Sequence, residues 1–453
     1  MKELISIILA AGKGSRMNSE LPKVLHKVGG KPMLQHVMNA AECAGATKNV
    51  VVIGYLGEQV KAYVGESAEI VEQREQLGTA HAVLQAKETL KDFSGTVMIL
   101  CGDTPLLDAA ELQEFFSTHE RTHAAATVLT AVMQDPTGYG RIVRDADGKV
   151  LKIVEHKDAS AEELAIAEVN TGIYCINAPL MFEMLEQISC DNAQGEFYLT
   201  DIIHLLVKNA KLVLGVKSKD ATSTLGVNSR QQLAMAEKLM RERTLDRLMS
   251  QGVTIMNPES TFIDAEVVIG RDTVIYPFTW LEGDCVIGEK CQVGPNVRLY
   301  NVCMGDSNTI QYAYAHDTHI GEACNIGPFV HLRPGTRLAD DVRIGNFVEV
   351  KNSWVGDGSK LPHLSYIGDT DIGKKVNIGC GTITVNYDGK KKYRTNIEDG
   401  AFIGCNANLV APVTVGENAF VAAGSTITKN VPSDALGVSR AKQSNIEGWA
   451  KDR

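Results

Sequence analysis

The apolar positions of the 453-residue chain fall into three regimes. Up to about residue 230, short β-rich apolar runs at 5–9, 50–53 and 97–100 alternate with helical stretches at 36–44 and 80–91. That alternation predicts a Rossmann-like α/β domain over 1–230, a mostly parallel sheet covered by helices with a ligand at the carboxyl ends of its strands. Residues 231–251 are filled with good helix formers and predict one long linker helix. Ser229 with Gln232 suggests its capping box, and Gly252 its C-terminal stop.

Beyond 252 the period changes to six. Ile269, Ile275, Leu281, Ile287, Val293 and Leu299 begin the series, which resumes at Ile320 through Val350, at Val355, Leu361 and Ile367, and again at Ile403 through Ile427. Glycine often follows, as in Ile287-Gly288, Ile378-Gly379 and Val415-Gly416. Period six is neither helical nor a two-residue alternation. It predicts a left-handed parallel β-helix over 252–453, in which three hexapeptides make a triangular coil and one aliphatic side chain per face stacks on those above and below. The phase slips at 299–320 and 384–403, and the second slip holds the polar loop Asn386-Tyr387-Asp388-Gly389-Lys390-Lys391-Lys392.

Composition narrows the function. With 44% hydrophobic and 22% charged residues the chain is globular rather than disordered, collagenous or membrane-spanning. A net charge of −10 argues against nucleic acid and anionic membranes as partners and leaves small molecules. The ten cysteines include no C-x-x-C pair, so zinc or dithiol chemistry is not expected, and reduced thiols point to the cytoplasm. The apolar run at 5–11 is too short for a signal segment.

Candidate chemistry lies in both halves. Leu9-Ala10-Ala11-Gly12-Lys13-Gly14-Ser15-Arg16-Met17 follows a strand and precedes Leu21-Pro22-Lys23; its small residues admit a phosphate or base, and Arg16 and Lys23 can neutralise polyphosphate. In the β-helix, Arg333, Glu349, Lys351, His363, Tyr366, Asn377, Asn386, Tyr387 and Lys392 gather in a stretch too polar for a bare scaffold. A histidine there can accept a proton from an amine attacking a thioester, with Glu349 as the expected partner of its other ring nitrogen, while Arg333, Lys351 and Lys392 bind an acceptor phosphate.

The 9–17 loop, with Gln73-Arg74-Glu75-Gln76-Leu77-Gly78-Thr79-Ala80 and Gly102-Asp103, resembles the sugar-phosphate nucleotidyltransferases. With Gly327–Gly335, Ile344–Lys351, His363–Asp369 and Asn386–Gly389 added, the whole chain resembles the bacterial bifunctional N-acetylglucosamine-1-phosphate uridylyltransferase and glucosamine-1-phosphate acetyltransferase family. The resemblance implies that Leu9, Ala10, Ala11, Gly12, Gln73, Gly78, Thr79, Gly102 and Asp103 hold UTP. It further implies that Asp103 and Asn228 bind Mg²⁺, and that Gly140, Glu155, Asn170 and Tyr198 line the sugar pocket. Glucosamine-1-phosphate is assigned to Arg333, Lys351, Tyr366, Asn377 and Lys392, with His363 as general base. Acetyl-CoA is assigned to Cys380, Asn386, Tyr387, Cys405, Ala423 and Arg440. Cys380 and Cys405 depart from the family, which usually has alanine and serine there. The family implies a homotrimer and UDP-N-acetylglucosamine, a cell-wall precursor, as product. The alternative is a nucleotidyltransferase whose β-helix only oligomerises or regulates.

Overall fold

The computed structural model describes residues 3–451 and consists of two compact units, Met1–Met240 and Arg241–Arg453.

The first unit is built on a twisted sheet. Its main strands run, edge to edge, Val213–Lys217, Ala126–Val132, Glu168–Asn177, Thr96–Cys101, Leu4–Ala10, Lys48–Ile53 and Glu69–Glu72. Pairing is parallel except that Glu168–Asn177 runs antiparallel to both neighbours. Successive side chains of the central strands go to opposite sides. Ile5, Ile7, Val50, Val52, Val97 and Ile99 join one buried cluster, and Leu4, Ile8, Val51, Met98 and Leu100 the other. Both faces are covered by helices, which is why these strands read as unbroken apolar runs.

Helix boundaries differ from expectation. The stretch expected at 36–44 forms Met33–Cys43, and the one expected over 80–91 is helical only at Thr79–Leu84. Past Leu84 the chain closes tight i→i−3 turns, with Ala86 N donating to Val83 O and Lys87 N to Leu84 O. The long helix is Arg230–Ser250. Ser229 Oγ accepts from Gln232 N at 3.2 Å, but the Gln232 side chain accepts from Asn228 N at 2.7 Å instead of closing the box on Ser229. Its C-terminal end stops as expected at Gly252, φ +94°, with Val253 N donating to Leu248 O.

The second unit is a parallel β-helix whose strands each pair with the strand one coil on. The inner columns, from Ile269 through Ile287, Leu332 and Ile367 to Val421, are nearly or fully inaccessible and form one continuous core. Register gives the coil lengths. Thr279 pairs with Val297, Val297 with Ala313, and Ala313 with Val330, so the slip after 299 is a shortening of the coil to 16 residues and not an insertion. Thr370 pairs with Thr395, a 25-residue coil that accommodates the 386–393 loop as a hairpin closed by a Tyr387–Lys392 bridge.

All three tryptophans, Trp280, Trp354 and Trp449, lie in the second unit, so their fluorescence reports its unfolding. Leu332 is fully buried, and Leu332→Ala is expected to destabilise that unit by about 2–5 kcal/mol in a denaturant titration followed by tryptophan emission. A shift near zero would show that the column does not carry the fold.

Candidate functional site

A cavity of about 450 Å³ opens at the carboxyl ends of Leu4–Ala10 and Thr96–Cys101. Leu9, Ala10, Ala11, Gly12, Lys23, Gln73, Gly78, Thr79 and Asp103, all predicted, line it. Lys13 and Gln76, members of the two loop motifs with no role assigned there, line it too, as do Cys101 and Glu196. Gly102 N donates to Leu9 O at 2.9 Å and fastens the two strand ends together. Gly78 has φ +121°, and a Cβ there would lie 2.5 Å from Phe197 O, so only glycine lets the 73–79 loop pass this strand of chain. Gln73 secures the same loop, its amide reaching Gly78 O and His81 Nδ1, each at 3.0 Å.

Inside the cavity, Lys23 Nζ donates to Asp103 Oδ2 and, at 3.0 Å, to Asn228 Oδ1. Three residues far apart in sequence thus converge on one point. Asn228 is held by the start of the long helix, and Val227 N donates to Asp103 O at 2.9 Å. One carboxylate and one amide oxygen facing a cation are hard donors of the type Mg²⁺ accepts, which needs few protein ligands when substrate phosphates complete its shell. Arg16 sits elsewhere: it is exposed on the Ser15–Met17 turn and does not line the cavity.

The predicted sugar residues split. Asn170 N donates to Gly140 O at 2.9 Å. Glu155 and Tyr198, by contrast, line a second cavity of about 460 Å³ together with Asp158, Asp201 and His204. Thr200, at the N-terminal end of the Asp201–Lys208 helix, makes no side-chain cap; its hydroxyl donates to Glu155 Oε1 at 3.1 Å. Burial pushes the Glu155 carboxyl above its ordinary value, opposed by the Thr200 hydrogen bond and reinforced by Asp201, Asp158 and Glu196.

In the β-helix, register places the predicted acetyl-transfer residues in lines. Asn346 pairs with His363; Gly381 N donates to Leu364 O, Asn406 N to Cys380 O and Gly424 N to Cys405 O. Asn346, His363, Cys380, Cys405 and Ala423 therefore form one column down a single corner of the triangle. Arg440 extends it, its guanidinium donating to Ala423 O at 2.7 Å. His363 is exposed there.

The adjoining face carries the cations. Arg333, Lys351 and Tyr366 lie on it, with Lys392 of the 386–393 hairpin beside Lys351, whereas Asn377, in register with Lys360 and Phe402, lies on the strand that leads into the corner from the other side. Glu349 has a different partner from the one expected. It pairs in register with Tyr366 and accepts from Arg333 Nη1 at 2.8 Å, three residues past the register position of His363, which is taken by Asn346. Lys351 lies close enough to lower the Lys392 ammonium's pKa. Asp369, which the sequence reading did not select, anchors this group: buried, it accepts from Asn352 and Asn386 and lies 3.9 Å from Lys351. Burial alone would raise its carboxyl, but those hydrogen bonds and the two lysines hold it below the ordinary value. Gly368 makes room beside it, because a Cβ there would lie 2.5 Å from Tyr366 Oη and 2.7 Å from Asn386 Nδ2. The Asn386 side chain is thus committed to Asp369, while Tyr387 is exposed. No group of three or more histidine, cysteine or acidic residues suited to a metal occurs among the described residues.

Comparison with known proteins matches residues 5–226 to the nucleotidyl transferase family, 257–355 to the GMPPB C-terminal domain and 394–429 to the bacterial transferase hexapeptide family. Over nearly its whole length the chain is similar to curated proteins named bifunctional protein GlmU. The relative from Geobacillus sp. strain WCH70 is 55% identical over 99% of this chain and 98% of its own. Those from Geobacillus thermodenitrificans and Listeria monocytogenes serotype 4a are 52% and 49% identical, covering 99% and 100% of this chain and 98% and 99% of their own.

Glu155 yields a test of the α/β unit. Its folded-state pKa lies above the ordinary 4.5, so its contribution favours the fold most when protonated and is lost as pH rises through the folded-state value. A glutamine at 155 keeps the oxygen that accepts from Thr200 and carries no charge. Glu155→Gln is expected to melt above wild type at neutral pH in scanning calorimetry, with the gap closing as pH falls toward 4.5. A gap independent of pH would contradict the buried-carboxylate account.

Proposed function

Because the chain belongs to the family of bifunctional GlmU proteins, we propose that its two units carry out consecutive steps. On the β-helix, an acetyl group passes from acetyl-CoA to the amine of glucosamine-1-phosphate. In the α/β unit, the N-acetylated product attacks UTP and yields UDP-N-acetylglucosamine and pyrophosphate. The observation that carries the reading is the assembly, in one chain, of a glycine-rimmed cavity around Lys23, Asp103 and Asn228 and of a corner column headed by His363.

In the acetyl step the amine nitrogen attacks the thioester carbonyl while His363 takes up the amine proton. The C–S bond breaks, and the proton returns to the departing thiolate. Arg333, Lys351 and Lys392 supply the charge for the acceptor phosphate, and binding an anion relieves the crowding of Lys392 by Lys351. Tyr366 and Asn377 flank the corner and orient the sugar. Cys380, Cys405, Ala423 and Arg440 follow the column below His363 and accommodate acetyl-CoA along it, with Asn386 and Tyr387 contributing from the 386–393 hairpin outside the column. We assign the orienting position beside His363 to Asn346, its register neighbour, and give Glu349 the task of holding Arg333 in place.

In the uridylyl step a phosphate oxygen of N-acetylglucosamine-1-phosphate attacks the α-phosphorus, and the bond to pyrophosphate breaks. No protein nucleophile is needed; alignment and charge neutralisation lower the barrier. Asp103 and Asn228 would hold Mg²⁺, which when bound neutralises phosphate charge. Lys23 brings an ammonium to the same point, the 9–12 loop and the 73–79 loop enclose the nucleotide, and Gly140, Glu155, Asn170 and Tyr198 take the sugar. Arg16, exposed before nucleotide binds, acts on the triphosphate afterwards.

A single β-helix leaves this second site open. Exposed Phe329, Phe347 and Leu364 run down the corner beside His363, an apolar stripe suited to burial against another copy. We propose a homotrimer in which a neighbouring copy closes the acetyl site. No helix among the described residues is long and apolar enough to cross a membrane, and we place the enzyme in the cytoplasm, where its ten free cysteines remain reduced.

Following free thiol and pyrophosphate together in one reaction tests the division of labour. His363→Ala is expected to slow thiol release by about 10²–10⁴-fold and to leave pyrophosphate release from supplied N-acetylglucosamine-1-phosphate intact, whereas Asp103→Ala is expected to do the reverse. Pyrophosphate without any thiol release by wild type would make the β-helix a scaffold.

A further inference from the structure

The corner column that carries His363 also stacks two cysteines in register. Asn377 pairs with Phe402 and Ile378 with Ile403. Gly379 N donates to Ile403 O at 2.8 Å, and Asn406 N to Cys380 O at 2.7 Å, so the register runs on and sets Cys380 directly over Cys405. Each is followed by a residue in the left-handed region, Gly381 at φ +75° and Asn406 at φ +56°, so the two corners turn alike. Cys405 is exposed and Cys380 half-buried. Adjacent strands lie about 4.7–4.9 Å apart, within the roughly 4.4–6.8 Å that a disulfide spans between Cα atoms. The cysteines inside the β-helix differ. Burial pushes Cys285 and Cys324 up to about 11 and raises Cys291 as well, which keeps them protonated and unreactive.

We propose that Cys380 and Cys405 form a reversible disulfide when hydrogen peroxide is present, and that this bond shuts the acetyl-CoA site without touching the nucleotide site. The inference rests on the assignment of this column to acetyl-CoA. The exposed Cys405 thiolate attacks one peroxide oxygen, the O–O bond breaks, and a sulfenic acid and water form; the Cys380 thiolate then displaces the hydroxyl. One S–S bond replaces two S–H bonds, two electrons pass to the peroxide, and two waters leave. The bridge lies flush beneath His363, where the thioester must sit. A disulfide between directly stacked strands is at the short end of the permitted separation and is exposed, both of which make it easily reduced.

The test uses full-length protein, hydrogen peroxide and dithiothreitol. Tryptic fragments 376–390 and 395–429 each hold one of the two cysteines and no other. After peroxide they are expected to appear as one linked species, two hydrogen masses below their sum, and acetyl transfer is expected to fall by about tenfold or more, a binding loss of about 1.4 kcal/mol or greater. Uridylyl transfer should not change, dithiothreitol should restore acetyl transfer, and prior acetyl-CoA should slow the linkage. The Cys380→Ala/Cys405→Ser double variant, compared with its own untreated rate, should lose its response to peroxide. If Cys405 is oxidised to the sulfinic acid and no linked species forms, the thiols do not meet and the proposal falls. A linked species with undiminished acetyl transfer and no protection by acetyl-CoA would also overturn it, and would do so by removing the column from the acetyl-CoA site while leaving the thiol pairing intact.

Discussion

Coil-on-coil register in the β-helix is the constraint on which the second site depends. An aliphatic side chain at every sixth position must stack on its equivalent in the next coil, so the phase of the inner columns is fixed by burial. Outward positions inherit that phase. His363, Cys380, Cys405 and Ala423 lie on one corner because the residues inside it are locked. A corner residue has little freedom to drift, and a catalytic base placed there is held by a rigid scaffold rather than by a loop.

The α/β unit uses a different device. Its sheet fixes the carboxyl ends of Leu4–Ala10 and Thr96–Cys101 side by side, and loops of very different origin are then tied across them. Lys23, Asp103 and Asn228 come from a turn, a strand end and the approach to a helix, and Arg230 at the helix start also reaches back, donating to Met17 O at 3.1 Å. The buried His26 lies 3.3 Å from the Arg230 guanidinium, and desolvation and that charge lower its pKa.

Much of this was legible in the sequence. Period six revealed the β-helix, because stacking leaves a trace at every coil, and the unbroken apolar runs revealed a sheet buried on both faces. Through-space arrangements were harder to read. Glu349 was expected beside His363 from proximity in sequence, yet coils of 16, 17, 18 and 25 residues shift the true neighbours, and Asn346 holds that position. Asp369 went unnoticed because its value comes from Asn352 and Asn386, one coil away on either side. The Thr200 hydroxyl bonds Glu155, 45 residues away, a pairing that no local rule encodes. Helix ends at 84 and 43 depended on turns that periodicity does not encode.

If acetyl transfer takes place on the corner column, CoA must lie along it. A crystal structure of the full chain with CoA decides this. The pantetheine arm is expected to run along Cys380, Cys405 and Ala423 with its sulfur beside His363. CoA bound on another face, with its sulfur away from His363, would contradict it.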